Sequence, residues 1–251
     1  WRVNIAYDGT LLWAQENGPC GHIYKLDLLE GSLVETMSAC DFTFNKWLGL
    51  TDMADICFSD GYLWAMNDSS ATFAKISPDP NQLPPEMHYT FAFDPNAHIL
   101  DRGHGADTAS YRGMVKHGDL IYFIESVKIR DEKGTEVDRK HRIHTAHIEQ
   151  ADDSRDVDSF AWARRVASNG GGIENLITGM NIDSQSNVYV TGCFDGTHDF
   201  GGVTTSEERG GGNDIFVAKY DTAGVLQWAQ RAGGAAGPSP EDDAGRGVGV
   251  D

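Results

Sequence analysis

Short apolar runs separated by polar turns recur along this chain. In each copy an apolar run leads into a turn that contains Asp, Gly, Ser or Asn, and a second apolar run ends on an aromatic residue. This pattern is typical of a β-hairpin, because the turn residues allow a tight reversal and the aromatic and β-branched residues suit a pleated sheet. The copies begin at Asn4, Asp55, Gly113, Gly179 and Gly247.

Each hairpin is followed by two further strand-like segments. A third segment has an apolar-x-Lys-x-Asp or Ser rhythm around Lys25, Lys75 and Lys219, and residues 147–149 resemble it more weakly. A fourth segment closes the unit, most clearly at residues 226–231. Four strands per unit, without helical periodicity, predict an all-β chain that forms a β-propeller with four-stranded antiparallel blades.

The repeat spacing divides the chain into about four blades and the start of a fifth. We interpret residues 1–251 as a single β-propeller domain or a fragment of one within a longer chain, and we attribute the uneven spacing to insertions at residues 77–88 and 131–140. A β-sandwich pair or an open solenoid of sheets remains an alternative. The predicted units are 1–50, 51–108, 109–173 and 174–240, with 241–251 starting another.

The fourth unit is the most regular. It contains in order the segments NVYVTG at 187–192, DFGG at 199–202, DIFVAKYD at 214–221 and GVLQW at 224–228. These segments resemble the bacterial β-propeller repeat of the SBBP type, clearly over residues 174–251 and weakly before that. The resemblance implies a secreted or surface-displayed protein with a structural, adhesive or binding role, and it supplies no catalytic residue.

The charge balance excludes some classes of partner. The 251 residues carry 20 Lys and Arg against 38 Asp and Glu, a formal net charge of -18. Such a chain lacks the basic face that nucleic acids or anionic lipid surfaces require. No apolar run is long enough to predict a membrane span. The expected partner is therefore a protein or a glycan, and a homomeric or heteromeric assembly is possible.

Cysteines and one tryptophan provide weak additional signals. The four cysteines include no Cys-x-x-Cys pair, so a zinc knuckle or redox motif is not expected. Cys20 and Cys40 stand at the ends of one predicted sheet unit and are a candidate disulfide. Trp47 lies outside the repeat positions and is a candidate aromatic anchor for a sugar or protein.

The sequence contains two kinds of candidate cation site. In the run of His141, His144 and His147, a strand would place the first and third side chains on one face and the second on the other, which does not favour zinc. Acidic turns offer the oxygen ligands that calcium prefers, although none has EF-hand spacing. The calcium candidates are Asp183, Asp195, Asp199 and Asp243.

An enzyme is the main rival to a binding module. Asp101, His104 and Asp107 form a dense polar group in a glycine-rich connector, and Glu174 lies in a comparable connector. If several such groups met at the mouth of a propeller, they could perform acid–base chemistry as a glycosidase or lyase. The favoured interpretation is a non-enzymatic extracellular or cell-surface module without an obligatory cofactor. A calcium-stabilised scaffold is the third possibility.

Overall fold

A computed structural model describes most of the strand-forming part of the chain. The residues described are 3–16, 22–38, 53–67, 72–76, 87–92, 106–147, 160–166, 176–200, 204–206, 213–233 and 243–250. Within these ranges every regular element is a β-strand and no helix occurs. The all-β prediction is therefore confirmed, and four-stranded antiparallel sheets are its main components.

The first two sheets are simple meanders. In the first sheet, β1 (Val3–Tyr7), β2 (Leu11–Glu16), β3 (His22–Asp27) and β4 (Leu33–Ser38) pair in chain order. In the second, β5 (Met53–Ser59), β6 (Tyr62–Asn67), β7 (Thr72–Ile76) and β8 (Met87–Ala92) do the same. Turn chemistry explains the tight hairpins: Asp60 and Gly61 both have positive φ, as a two-residue turn between strands requires.

The third sheet has longer strands than the others. It consists of β9 (Ala106–His117), β10 (Leu120–Arg130), β11 (Glu136–His147) and β12 (Phe160–Arg165), again neighbours in chain order. The interpretation of residues 131–140 as an insertion is wrong. Only residues 131–135 form the turn, and residues 136–140 belong to β11, so the hairpin itself is lengthened. The boundary drawn between residues 108 and 109 falls within β9.

The fourth sheet carries a small hairpin between its second and third strands. Its strands are β13 (Leu176–Ile182), β14 (Val188–Phe194), β17 (Asp214–Tyr220) and β18 (Leu226–Ala232). The inserted hairpin pairs β15 (Thr197–Asp199) with β16 (Thr204–Ser206). Residues 243–250, predicted to start another repeat, form no strand.

The chain divides into two compact units. One contains the first two sheets and the turn residues 116–121; the other contains most of the third sheet and the fourth sheet. In the first unit, buried side chains include Trp13, Trp64 and Phe73. In the second, Phe194, Phe200 and Phe216 form a buried aromatic cluster with centroid separations of 4.8–6.3 Å. Burial of Trp13 and Trp64 agrees with a packing role for these repeat-position tryptophans.

Candidate functional site

The repeated lysine contacts an aromatic ring in three of the four sheets. Lys25 lies directly opposite Trp13 across β2 and β3, with its Nζ 4.4 Å from the ring centroid. Lys219 lies opposite Tyr189 across β14 and β17, with a distance of 5.0 Å. Because an ammonium group is attracted to the face of an aromatic ring, each pair helps to hold its two strands together.

The second sheet has the same pair with an additional cation. Lys75 lies opposite Trp64, and its Nζ is 3.9 Å from the centroid of Tyr62. Lys116 lies 5.1 Å from the Trp64 ring and forms an ion pair with Asp60 in the hairpin turn. The hydrogen bond from Lys116 lowers the pKa of the Asp60 carboxyl, and burial lowers the pKa of Lys75. The ammonium groups of Lys75 and Lys116 are therefore both engaged by neighbouring side chains.

An aspartate of the hairpin turn joins the aromatic residue in the first and fourth sheets. In the first sheet, Trp13 Nε1 donates a hydrogen bond of 2.8 Å to Asp8 Oδ2. In the fourth, the Tyr189 hydroxyl donates a hydrogen bond of 3.1 Å to Asp183 Oδ2, and Lys219 Nζ lies 3.6 Å from the same oxygen. In these two sheets the turn aspartate, the second-strand aromatic residue and the third-strand lysine form one group, whereas in the second sheet Trp64 Nε1 donates to the Ser59 carbonyl.

Asp183 is the most strongly perturbed member of these groups. Burial raises the pKa of its carboxyl, but this effect is outweighed by hydrogen bonds from the Asn187 side chain, from the backbone amides of Asn187 and Gln185, and from Tyr189. Together they hold the pKa of Asp183 at about 2. The carboxylate is thus committed to its own turn and to the neighbouring strand, as expected of a turn-capping aspartate.

The most buried charged group lies in the third sheet. Glu125 on β10 is fully buried, and its Oε2 lies 3.0 Å from His144 Nε2 and 3.8 Å from Arg142 Nη1 on β11. The His144 ring stacks on Phe123 at a centroid distance of 5.0 Å. A carboxylate removed from water requires such partners, because an unpaired buried charge is strongly destabilising.

Strand alternation explains how these four side chains meet. Phe123 and Glu125 are two residues apart on β10, and Arg142 and His144 are two residues apart on β11, so each pair shares one face of the sheet. His144 therefore lies with Arg142, whereas His141 belongs to the opposite face, which agrees with the predicted alternation. The third side chain of the histidine run, that of His147, lies outside the described side chains.

The Glu125–His144 pair has the composition of an acid–base dyad without the exposure that catalysis needs. The His144 side chain is 4% exposed and that of Glu125 is 0% exposed. A general acid or base must reach a proton of its substrate directly or through one water molecule. Sequence reasoning missed this pair because it depends on the register of the β10–β11 hairpin, whose turn was interpreted as part of an insertion.

Besides Asp183, the structure describes three calcium candidates, Asp195, Asp199 and Asp243. The backbone carbonyl of Asp195 accepts a 2.7 Å hydrogen bond from His198 Nε2, and the Asp243 amide donates a 2.8 Å bond to Asn213. Asp199 is exposed on β15 and helps to raise the pKa of Tyr220, for which burial is the main cause. Among the described residues, no three His, Cys, Asp or Glu side chains are placed to hold a metal ion.

The other predicted site residues are outside the part of the chain that the structure describes. This applies to Trp47, to the candidate disulfide and to three of the four residues proposed for an enzyme centre. The fourth, Asp107, has a described backbone in β9 but no described side chain. The residues not described are Cys20, Cys40, Trp47, Asp101, His104 and Glu174.

Comparisons with known proteins add no assignment. No protein-family model matches the chain, and no curated protein matches it. Within the described residues, no helix has the length and apolar character needed to cross a membrane. The sequence repeat and the geometry within each unit are therefore the features that bear on function.

Proposed function

We propose that this chain is a β-propeller module of the SBBP-type repeat and that it acts outside the cell or at the cell surface. Its role is structural or adhesive, and it binds protein or glycan without catalysing a reaction. The observation that carries the proposal is the recurrence of one contact, lysine against the aromatic residue opposite it on the second strand, in three four-stranded sheets. The lysines that recur with the repeat are thus used to hold neighbouring strands together.

The packing of first strands supports the propeller architecture. In the first unit β1 lies beside β5, and Asn4 Nδ2 donates a 2.7 Å hydrogen bond to the carbonyl of Ala54. Asn4 and Asp55 occupy equivalent positions of the repeat. Asn4 therefore contacts the residue that directly precedes its own equivalent in the next sheet. First strands of successive blades lie side by side in a propeller.

The second unit repeats this contact with the same offset. Gly179 is equivalent to Gly247, and a Cβ added at Gly179 would lie 3.2 Å from the carbonyl oxygen of Arg246 and 2.9 Å from the Cα of Gly247. Asn181 Nδ2 also donates a 3.2 Å bond to the carbonyl of Val248. Residues 243–250 thus lie beside β13 as β5 lies beside β1, which favours a further blade after the fourth sheet.

One paired experiment tests the functional part of the proposal. The purified chain is applied to a glycan array, and in parallel it is incubated with the polysaccharides that it binds while reducing ends are counted. We expect binding without a rise in reducing ends. Depolymerisation that disappears in an Asp101→Asn/Asp107→Asn/Glu174→Gln variant would contradict the proposal and favour the glycosidase or lyase alternative. A thermal shift with calcium that a chelator reverses would identify the scaffold as calcium-stabilised.

A further inference from the structure

One face of the first sheet is apolar and exposed. Strand register places seven side chains on it, in a row of four and a neighbouring row of three: Tyr7, Leu12, Leu26 and Leu33, then Ile5, Ala14 and Tyr24. Ile5 on β1 is 59% exposed, and Leu33 on β4, at the other edge of the sheet, is 57% exposed. Within the four strands, the described side chains of this face include no Lys, Arg, Asp or Glu. We name it the Ile5 face.

The opposite face of the first sheet is already covered. Asn4 and Gln15 lie opposite one another on the face that carries Trp13, and a 2.7 Å hydrogen bond joins their side chains. Asn4 also donates a 2.7 Å bond to the carbonyl of Ala54, so the Trp13 face is turned toward the second sheet. An antiparallel sheet that is covered on one face normally carries polar residues on the other. The apolar Ile5 face therefore indicates an interaction surface.

The repeat shows what kind of structure covers such a face. In the alignment of the first two hairpins, the equivalents of Ile5, Leu12 and Ala14 in the second sheet are Ile56, Leu63 and Ala65. These three equivalents are buried. The other face of the second sheet carries Trp64, where Lys116 lies 5.1 Å from the ring. The neighbour that covers the three equivalents is therefore the first sheet, whose β1 lies beside β5. At these repeat positions the established partner is another four-stranded sheet.

We propose that the Ile5 face packs against the Ile5 face of a second copy of this chain. The second copy presents a four-stranded sheet, as the first sheet does to the second, and its own Ile5 face is exposed in the same way. Packing the two faces together removes apolar surface from water and leaves the described charged side chains outside the contact. Both copies use the same surface, so the contact is isologous and closes after two copies. The inference goes beyond the proposed function and does not depend on it.

Sedimentation velocity of the full chain over a range of protein concentrations, at 20 and 300 mM NaCl, tests this docking. We expect a monomer–dimer equilibrium with more dimer at 300 mM NaCl, because salt screens the repulsion between two copies that each carry a net charge of -18. Ile5→Glu should weaken the dimer about tenfold or more, since two symmetry-related carboxylates would enter an apolar contact. Leu33→Glu, at the opposite edge of the face, should have the same effect and provides an independent variant.

Val225→Glu is the matched control. Val225 is 52% exposed, lies in the turn between β17 and β18 in the other compact unit, and changes the net charge by the same amount. This variant should dimerise like the wild type. Equal urea midpoints of wild type, Ile5→Glu and Leu33→Glu would show that the two face variants keep their fold.

Four results would overturn the proposal. They are a monomer at all concentrations in both salt conditions, a dimer that Ile5→Glu and Val225→Glu weaken equally, a dimer that dissociates at high salt, and species that keep growing beyond the dimer. A monomer that an insoluble neutral polysaccharide retains, and that Ile5→Glu releases, would assign the face to a glycan instead. Glycan-array binding that Ile5→Glu leaves unchanged would keep the proposed function intact, whether or not the dimer forms.

Discussion

Replacing His144 with alanine is the sharpest test of the buried group in the third sheet. The change removes the partner that lies 3.0 Å from the Glu125 carboxylate, and it removes the ring that stacks on Phe123. Arg142 remains at 3.8 Å from the same oxygen. We therefore expect the carboxylate to stay buried after losing its 3.0 Å contact with the imidazole.

The expected loss follows from the two interactions removed. A hydrogen bond to a charged group contributes about 1.5–3 kcal/mol, and an aromatic pair adds about 0.5–1.5 kcal/mol. Removing one partner of a buried carboxylate typically costs about 3–5 kcal/mol. We expect His144→Ala to lower the free energy of unfolding by about 3–5 kcal/mol. Glu125→Leu/His144→Leu should lose less than His144→Ala, because the fully buried carboxylate is removed together with the imidazole and the charge that stays, on Arg142, is 16% exposed.

Hydrogen exchange measured against urea provides the assay. Because the chain divides into two compact units, amide exchange in peptides from β10 and β11 reports the stability of this sheet directly. Glu132→Gln in the exposed turn is the control and should change stability by less than about 0.5 kcal/mol. The reasoning is refuted if His144→Ala costs less than about 1 kcal/mol. It is also refuted if Glu125→Leu and His144→Leu are additive within about 0.5 kcal/mol, since interacting residues are not.

Three further predictions follow from single residues. The folded-state pKa of Asp183 is about 2, below its ordinary value of 3.8, so the stability that this carboxylate contributes is full above about pH 4 and is lost as the pH falls through 2. The urea midpoints of wild type and Asp183→Asn should therefore converge over that range, and a constant difference between them would contradict the prediction. Burial raises the pKa of the Cys57 thiol to about 12, so iodoacetamide at pH 8 should label Cys57 about a hundredfold or more slowly in the folded chain than in urea. Equal labelling rates of the Cys57 peptide in the two conditions would refute this. Gly179→Ala should speed amide exchange in residues 243–250, because its Cβ would meet Gly247, while Gly247→Ala, which has open space, should not.

The strand repeat could be predicted because each hairpin buries one alternating face. The apolar positions, the turn residues and the lysine rhythm are all local, and the structure places them on neighbouring strands of one sheet. Residues 136–140 could not be predicted in the same way. Their sequence, Glu-Val-Asp-Arg-Lys, has almost no apolar alternation, because this half of the hairpin lies beyond β12. A strand that lacks a buried face looks like a loop in sequence.

The candidate site was less predictable than the strands. Trp13 and Lys25 were recognised as repeat positions, but their contact depends on the register of β2 and β3. Glu125 was not singled out at all, although its burial makes it the most constrained acid that the structure describes. A pattern of single strands shows which residues share a face; it does not show which residue on the next strand lies opposite.

Register gives these charged pairs a common physical role. A slip of one residue in β17 would move Lys219 to the other face, away from Tyr189 and Asp183, and would separate the charges that now compensate each other. Chains with several similar hairpins also risk pairing strands from different repeats during folding. The third sheet carries the Glu125–His144 pair, so a lysine-bearing strand from another repeat would not supply the imidazole that lies beside Glu125. Pairs that differ between sheets therefore favour the correct partner as well as the correct register.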